Sequence, residues 1–214
     1  EACAGAAEVL RVAPLVGFDA EWRPSFRKGA APPREVALLQ LATRREVFLF
    51  DLTVDDAPYT AALSGALCSI FGAADVLKLG FACQGDLRKL ARCPGLQAAF
   101  ARCESILDVH TLLQITRGEA AAEAARGLSG AVEATLGKPL DKRRRLSDWE
   151  RRPLQPAELT YAALDALSVV HAAEVLYPSL ASAWRERMMD DYLQRAQQPH
   201  APGRHRGDGA DLAA

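Results

Sequence analysis

The spacing of apolar residues along the chain predicts a mixture of strands and helices. Short apolar runs bounded by turn-forming residues indicate strands, whereas apolar residues three and four positions apart indicate helices. Strands are predicted at Leu15–Trp22, Glu35–Ala42, Glu46–Leu52, Val76–Phe81 and Ser105–Asp108. Helices are predicted at residues 1–13, 57–72, 84–91, 109–116, 127–136, 156–176 and 181–196, and loops at residues 23–34 and 139–153.

The order of these elements indicates one sheet with helices packed on it. Only the triplet Thr43-Arg44-Arg45 separates the second strand from the third, which is short enough for a hairpin turn. The first three strands therefore form a meander, and the alternation of helix and strand that follows is typical of parallel connections. The sequence predicts an α/β fold with a mixed five-stranded sheet flanked by helices.

The first predicted strand ends in two carboxylates, Asp19 and Glu21, with one residue between them. Because side chains alternate along a strand, both carboxylates point to the same face. Two acids on one face of a core strand repel each other and lose hydration, and a bound Mg²⁺ or Mn²⁺ lowers that cost. The alternative is a solvated strand end with two surface acids, which is the commoner outcome for so short a motif taken alone.

Two further acids lie where such a pair would need them. Asp86 begins a helix directly after a buried strand, a junction where open α/β sheets place their sites, although acids also favour helix N-termini for structural reasons. Asp165 lies among apolar residues of the predicted helix 156–176, with Tyr161 one turn earlier on the same face. This pair belongs either to a functional site or to a hydrogen bond that fastens the helix to a loop.

A basic segment precedes this helix and contains an aromatic residue, Trp149. Such a segment suits contacts with a phosphate backbone together with base stacking, whereas an isolated run of charges is more often a solvated surface. Its cationic residues are Lys138, Lys142, Arg143, Arg144, Arg145, Arg151 and Arg152.

The remaining acids and histidines are interpreted as structural. Asp51 and Asp108 end predicted strands, and the pair Asp55-Asp56 suits a turn or a helix cap. His110 and His171 lie on predicted helices without a second His or Cys at ligand spacing, so we expect packed or surface histidines.

Composition is that of an ordinary globular protein. The 214 residues carry a formal net charge of −1, so any binding of nucleic acid would depend on a local patch. The five cysteines form no C-x-x-C pair, and no apolar run is expected to span a membrane, which favours an intracellular protein with reduced thiols.

Domain organisation is predicted to be simple. Residues 197–214 lack periodicity and are expected to be a disordered tail or linker, which leaves residues 1–196 as one domain. The start at Glu1 rather than Met is compatible with a piece of a longer protein.

Three ordered motifs resemble those of the DEDDy branch of the DnaQ-like 3′–5′ exonucleases, which includes ribonuclease D, the Werner-syndrome exonuclease domain and the Mut-seven-type nucleases. The motifs are Val16–Trp22, Lys78–Leu87 and Tyr161–Ala166. The intervening segment Gly127–Leu154 is also similar to the region that these proteins carry before the third motif.

The resemblance implies a ribonuclease H-like fold and an active site that holds two Mg²⁺ or Mn²⁺ ions. Asp19, Glu21, Asp86 and Asp165 would be the metal ligands, and Tyr161 would orient the attacking water. The residues expected to contact nucleic acid are Trp22, Lys142, Arg143, Arg144, Trp149 and Arg152.

One departure from the family pattern lies just before the second-motif acid. Several of these proteins carry an Asn there, whereas this chain has Ala82, Cys83 and Gln84, which affects how a terminal nucleotide would be held. The alternative to a 3′–5′ exonuclease is therefore a catalytically silent module that binds nucleic acid or recruits partners. The sequence does not distinguish RNA from DNA, and it does not give the oligomeric state.

Overall fold

A mixed sheet of five strands forms the centre of the fold, as the sequence predicted. The structure is a computed structural model that describes residues 2–24 and 34–186. The strands are β1 (Leu15–Glu21), β2 (Leu38–Ala42), β3 (Val47–Asp51), β4 (Leu77–Gly80) and β5 (Ile106–Asp108). Their order across the sheet is β3-β2-β1-β4-β5. Strand β2 is antiparallel to both of its neighbours, β1 and β3, whereas β4 is parallel to both of its neighbours, β1 and β5.

Helices cover both faces of this sheet. They are α1 (Ala2–Val12), α2 (Ala57–Phe71), α3 (Gln84–Leu90), α4 (Gln97–Phe100), α5 (Val109–Arg117), α6 (Glu119–Ala124), α7 (Gly127–Leu136) and α8 (Pro156–Leu176). Residues 180–186 are also helical. The short helices α4 and α6 were not predicted, because elements of four and six residues show less than two turns of apolar periodicity.

Several predictions fall on residues outside the described ranges. These are most of the loop 23–34, the second half of the helix 181–196 and the tail 197–214. The helical residues 180–186 confirm the beginning of that last helix, one residue earlier than predicted.

The alternation of side chains along β1 divides the interior into two layers. Val16 and Phe18 point into a core formed with α1, α2, α3 and α4. Gly17 points the other way, towards α8, because a Cβ at this position would lie 2.5 Å from the carbonyl oxygen of Ala166 and 2.7 Å from Cγ2 of Val170. The absence of a side chain at Gly17 therefore lets α8 approach the sheet closely.

Helix α8 packs along β1, β2, β3 and β4. Its 21 residues are long and apolar enough to cross a membrane by length and composition, which corrects the expectation that no segment would reach this limit. More than half of its most apolar window is buried inside the protein. Packing on four strands accounts for the apolar character of α8, as for the core helix of a sheet protein.

A buried lysine lies in the layer on the other face of the sheet from α8. Lys78 of β4 is fully buried, and its Nζ donates hydrogen bonds to the carbonyl oxygens of Ala73 (2.6 Å) and Val76 (2.8 Å). Burial lowers the pKa of Lys78 to about 8. The ammonium satisfies carbonyl groups in the turn after α2, which would otherwise lie unpaired in the core.

The structural interpretation of Asp56, Asp108, His110 and His171 is confirmed. Asp56 and Asp108 cap α2 and α5, each accepting a hydrogen bond from a backbone N–H in the first turn. His110 packs edge-on against Phe81, and Nε2 of His171 lies 3.2 Å from a backbone carbonyl oxygen. All five cysteines are free thiols.

We expect Gly17→Ala to destabilise the fold by about 1–3 kcal/mol, because the added methyl group overlaps backbone and side-chain atoms of α8. Thermal or urea unfolding would measure this change. Gly65→Ala in α2 is the matched control, since nothing lies within 4 Å of a Cβ at that exposed helical position, and it should leave stability unchanged or slightly raised. Equal melting temperatures for the two variants would contradict the close approach of α8.

Candidate active site

Three carboxylates meet where the C-terminal end of β1 faces α8. Asp19 and Glu21 lie on the same side of β1 as Gly17, and Asp165 projects from α8 one residue before Ala166. One carboxylate oxygen from each of these acids lies within 4.8 Å of the other two. The close packing of α8 on β1 thus brings residues 146 positions apart in the chain into one cluster, as the resemblance of the motifs implied.

Asp86 lies beside this cluster, in the first turn of α3. Its charge acts on both Asp19 and Glu21, although it does not belong to the tight group of three. The arrangement places all four predicted metal ligands at the C-terminal edge of the central parallel strands, the edge at which open α/β sheets bind ligands.

The turn that leads to Asp86 is strained. Ala82 adopts a positive φ of 50°, a conformation that Asn or Gly adopts at lower cost than Ala. The Ala82 N–H donates a hydrogen bond of 3.0 Å to Oδ1 of Asp108, which also accepts one of 2.9 Å from the N–H of His110. Asp108 therefore fastens the turn to the start of α5. The departure from the family pattern at residues 82–84 covers the end of this turn and the first residue of α3.

Burial and mutual repulsion raise the pKa values of the clustered acids. Burial is the largest cause for each of them, followed for Asp19 and Glu21 by the charges of neighbouring acids. The pKa of Asp19 lies well above its ordinary value, and that of Glu21 rises to about 10. The pKa of Asp86 rises to about 6, and burial also raises the pKa of Asp165. Without a cation the four carboxylates cannot all be ionised at neutral pH at low cost.

The donor set fits a hard divalent cation. Oδ1 of Asp165 is buried and has no hydrogen-bond partner among the described residues. The same is true of Oε1 of Gln40, which lies opposite Asp19 in the β1–β2 register. Buried oxygens without donors are costly unless something binds them, and carboxylate oxygens are the ligands that Mg²⁺ and Mn²⁺ prefer.

Tyr161 lies one turn before Asp165 on α8, and its hydroxyl donates a hydrogen bond to that carboxylate. Burial, followed by the neighbouring acids, raises the pKa of the phenol above its ordinary value. The Tyr161 ring packs against Trp149, with ring centres 5.9 Å apart. The phenol is therefore protonated at neutral pH and held at the edge of the carboxylate cluster.

Comparison with known proteins identifies the family. A family model described as 3′–5′ exonuclease matches residues 1–181. The chain belongs to this 3′–5′ exonuclease family. The resemblance found in the three motifs and the ribonuclease H-like fold that it implied are thereby confirmed.

Individual relatives agree with this assignment. This chain is 33% identical to the human exonuclease mut-7 homolog, in an alignment that covers 91% of this chain. It is 32% identical to a 3′–5′ exonuclease of Arabidopsis thaliana, in an alignment that covers 76% of this chain. It spans 25% and 52% of those two proteins.

Solved structures show the same architecture. The Nibbler EXO domain of Aedes aegypti superposes with a TM-score of 0.67 at 27% identity, covering 89% of this chain and 91% of that one. Escherichia coli RNase D superposes with a TM-score of 0.65 at 25% identity, covering 94% of this chain and 50% of that one. Both likenesses extend over nearly the whole exonuclease-family domain.

The prediction that Trp149 stacks on bases needs correction. The indole is completely buried in a cluster with Ala37, Leu38, Tyr161 and Ala162, so it offers no exposed face. An aromatic residue within a basic run is compatible with either role, and only the fold shows that this one is an anchor. Arg152, also predicted to contact nucleic acid, is bound to Asp51 instead.

Other basic residues of the segment lie near the carboxylates. Arg143 and Arg144 line a cleft of about 360 Å³ together with Tyr161 and Asp165. Lys142 acts electrostatically on Asp19 and Asp165.

Arg145 was missed by the sequence analysis as a site residue. Its charge acts electrostatically on Glu21 and Asp165. Within a run of four consecutive cations, the sequence carries no signal for which side chain faces the acids.

Trp22 and Arg143 already have partners within the domain. Nζ of Lys89 lies 4.6 Å from the centre of the half-buried Trp22 ring, a cation–π contact. Arg143 pairs with Asp141, and hydrogen bonds from Arg143 lower the pKa of Asp141 to about 2. Their contacts with nucleic acid stay predictions.

We expect the contribution of Asp86 to the stability of the metal-free domain to fall as pH rises from about 4 to 6. Since the folded pKa of Asp86, about 6, lies above its ordinary value of 3.8, the folded state holds this proton more tightly than the unfolded chain. The loss amounts to up to about 3 kcal/mol for Asp86. Asp86→Asn should therefore flatten the pH profile and raise the melting temperature above pH 6 in EDTA.

Thermal unfolding between pH 4 and 8 would measure this effect. Glu133→Gln, at an exposed position of α7, is the matched control and should follow the wild-type profile. An Asp86→Asn variant that is less stable than wild type at pH 7 in EDTA would show that Asp86 stabilises the fold, contrary to our interpretation.

Proposed function

We propose that this domain is a metal-dependent 3′–5′ exonuclease that releases nucleotides from the 3′ end of single-stranded or partly paired RNA or DNA. The observation that carries the proposal is the convergence of Asp19, Glu21 and Asp165, with Asp86 and Tyr161 beside them, in a chain of the 3′–5′ exonuclease family. A structural role alone does not account for four acids whose pKa values are all raised by burial.

Asp19, Glu21, Asp86 and Asp165 are the residues that would hold two Mg²⁺ or Mn²⁺ ions. The unpartnered oxygen of Asp165 and the repulsion among the four carboxylates support this assignment. When bound, such ions supply an activated water as nucleophile and stabilise the leaving oxygen of the phosphodiester.

Tyr161 would orient the attacking water through its hydroxyl. Because its pKa is raised above the ordinary value, the phenol keeps its proton at neutral pH and is a hydrogen-bonding group rather than a general base. Its position is defined by the hydrogen bond to Asp165 and by packing against Trp149.

Lys142, Arg143, Arg144 and Arg145 would bind the phosphates next to the scissile bond. Arg143 and Arg144 line the cleft beside Tyr161 and Asp165. Lys142 and Arg145, in the same segment, act electrostatically on the acids. In a domain of net charge −1, such a local patch is what could attract a polyanion.

The nucleic acid itself is left open between RNA and DNA. Escherichia coli RNase D is described as an exoribonuclease involved in structured RNA processing, and a Trypanosoma brucei RNase D of similar fold has been solved with RNA U12. The mouse WRN protein, 28% identical over 78% of this chain, is named a bifunctional 3′–5′ exonuclease and helicase. We therefore propose RNA as the first substrate to test, with DNA of the same sequence beside it.

The second candidate is a domain that binds nucleic acid without cleaving it. It is favoured by the departure from the family pattern at Ala82, Cys83 and Gln84, which lies directly before Asp86 and includes the strained residue Ala82. Mn²⁺ binding distinguishes the two candidates independently of cleavage, since a silent module has no need of a complete metal site.

We expect Asp19→Asn and Asp165→Asn each to abolish a metal-dependent ladder of products from the 3′ end of a 5′-labelled oligonucleotide. Tyr161→Phe should lower the rate by about ten- to hundredfold without abolishing it, because the variant loses orientation of the water but keeps the metal ligands. Digestion of RNA and DNA with Mg²⁺, Mn²⁺ or EDTA measures this, with Glu133→Gln as the control.

Titration calorimetry with Mn²⁺ provides the second measurement. Wild type should bind Mn²⁺ and Asp165→Asn should lose this binding while remaining folded. Cleavage that persists in both Asn variants would sink the assignment of the acids, and a folded wild type that neither binds Mn²⁺ nor cuts would favour the silent module.

A further inference from the structure

We propose that Arg152 is a positioning residue whose ion pair with Asp51 holds the basic segment 138–153 against the candidate active site. The inference rests on the proposed nuclease function and deepens it. It also replaces the sequence-based expectation that Arg152 binds nucleic acid directly.

The contacts of Arg152 leave its guanidinium no free donor. An arginine has five N–H groups. Nε donates to Oδ2 of Asp51 (2.5 Å), and Nη2 donates to Oδ1 of Asp51 (2.6 Å) and to the carbonyl oxygen of Ala37 (3.2 Å). Nη1 donates to the carbonyl oxygens of Trp149 (2.7 Å) and Arg151 (2.8 Å). With all five donors engaged inside the domain, this side chain is built to join segments of the fold.

The Asp51 carboxylate is held in place by Thr53, two residues after the end of β3. The backbone N–H and the hydroxyl of Thr53 donate hydrogen bonds of 2.9 and 2.7 Å to Oδ1 of Asp51. Although burial alone would raise the pKa of Asp51, the hydrogen bonds from Arg152 and Thr53 hold it below its ordinary value. The carboxylate is therefore ionised and forms a two-point pair with a residue 101 positions later in the chain.

The pair is anchored to the sheet on one side and to the basic segment on the other. Asp51 ends β3, and Ala37 directly precedes β2. The Trp149 carbonyl that accepts from Arg152 belongs to the buried anchor residue of the segment, whose indole packs on Tyr161. Nε1 of the same indole donates to the carbonyl oxygen of Arg145, at 3.4 Å.

Neighbouring residues reinforce the attachment. Arg151 forms an ion pair with Glu158 in the first turn of α8, at 2.8 Å. Glu150 accepts a hydrogen bond of 2.6 Å from the backbone N–H of Arg34 and lies 3.4 Å from Nη1 of Arg23. Residues 149, 151 and 152 thus contact the sheet or α8, and Glu150 contacts two residues of the connection between β1 and β2.

The segment held in this way carries the cations that face the acids. Arg143 and Arg144 line the cleft together with Tyr161 and Asp165, and the Trp149 indole fixes the backbone at Arg145. If the Arg152–Asp51 pair is broken, the cations remain but their positions are less well defined. Nucleic-acid affinity should then fall while the acids and their metal binding stay intact.

The two roles of Arg152 make opposite predictions for Asp51→Asn. A guanidinium that binds phosphate would be freed by this change, so affinity for nucleic acid would rise or stay constant. A positioning residue loses its partner, so affinity should fall about tenfold. Arg152→Lys keeps the positive charge but cannot form the two-point pair, and it should weaken binding to a similar extent.

The experiment measures fluorescence anisotropy of a labelled single-stranded 12-nucleotide RNA in EDTA, where no cleavage occurs, well below the melting temperature. The variants are Asp51→Asn, Arg152→Lys and the double variant, which should bind no more weakly than the weaker single variant because both changes break one contact. Asp75→Asn, which removes the exposed Arg11–Asp75 pair of 2.9 Å elsewhere on the domain, is the matched control and should bind like wild type.

Backbone hydrogen–deuterium exchange of residues 138–151 in the free domain provides a readout that needs no substrate. Faster exchange in Asp51→Asn and Arg152→Lys, with Mn²⁺ binding unchanged, supports the proposal. Unchanged exchange, or unchanged or tighter RNA binding by Asp51→Asn, overturns it. If wild type neither binds nor cleaves nucleic acid, the proposed function fails, whereas the exchange measurement still decides whether Arg152 holds the segment.

Discussion

The close contact between β1 and α8 at Gly17 is the constraint on which the candidate site depends. A Cβ at Gly17 would lie 2.5 Å from the carbonyl oxygen of Ala166, so only glycine permits this separation of strand and helix. Asp165 immediately precedes Ala166, and Asp19 lies two residues after Gly17 on the same face of the strand. The short separation of β1 and α8 at Gly17 therefore also sets the distance between the carboxylates of Asp19 and Asp165. The packing of the core and the geometry of the site are one property of this sheet–helix interface.

That geometry opposes stability. Burial raises the pKa values of Asp19, Glu21, Asp86 and Asp165, and repulsion by neighbouring acids adds to the effect for Asp19 and Glu21. The folded state therefore disfavours the ionised forms of these groups relative to the unfolded chain. The strained turn at Ala82 adds a further local cost. Such costs are tolerated because two apolar cores, one on each face of the sheet, stabilise the rest of the fold. A cluster of this kind is expected where a cation is to be bound, since the same repulsion that destabilises the free site favours binding.

Much of this arrangement could be predicted from local periodicity. A two-residue period places Asp19 and Glu21 on one face of a strand, and a four-residue spacing places Tyr161 and Asp165 on one face of a helix. Both rules act over a few residues, so the sequence reveals them directly. The burial of Trp149 and the pairing of Arg152 with Asp51 could not be predicted in this way. They depend on contacts between residues far apart in the chain. A basic run with one tryptophan has the same sequence pattern whether the indole is exposed or buried. The positive φ of Ala82 likewise follows from the tertiary path of the turn and not from the preference of alanine.

The burial of Trp149 changes how the basic segment is expected to bind nucleic acid. A flexible cationic loop would bind a polyanion wherever it met one, and its affinity would depend little on where the carboxylates lie. A segment anchored by a buried indole and by Arg152 instead presents its cations at one place, beside acids that would themselves repel a phosphate. Under the proposed function a phosphodiester would approach a cluster of like charge, so positive charge at a fixed position would be needed there. In a domain whose net charge is −1, it is the position of a few cations and not their number that would determine where a nucleic acid can bind.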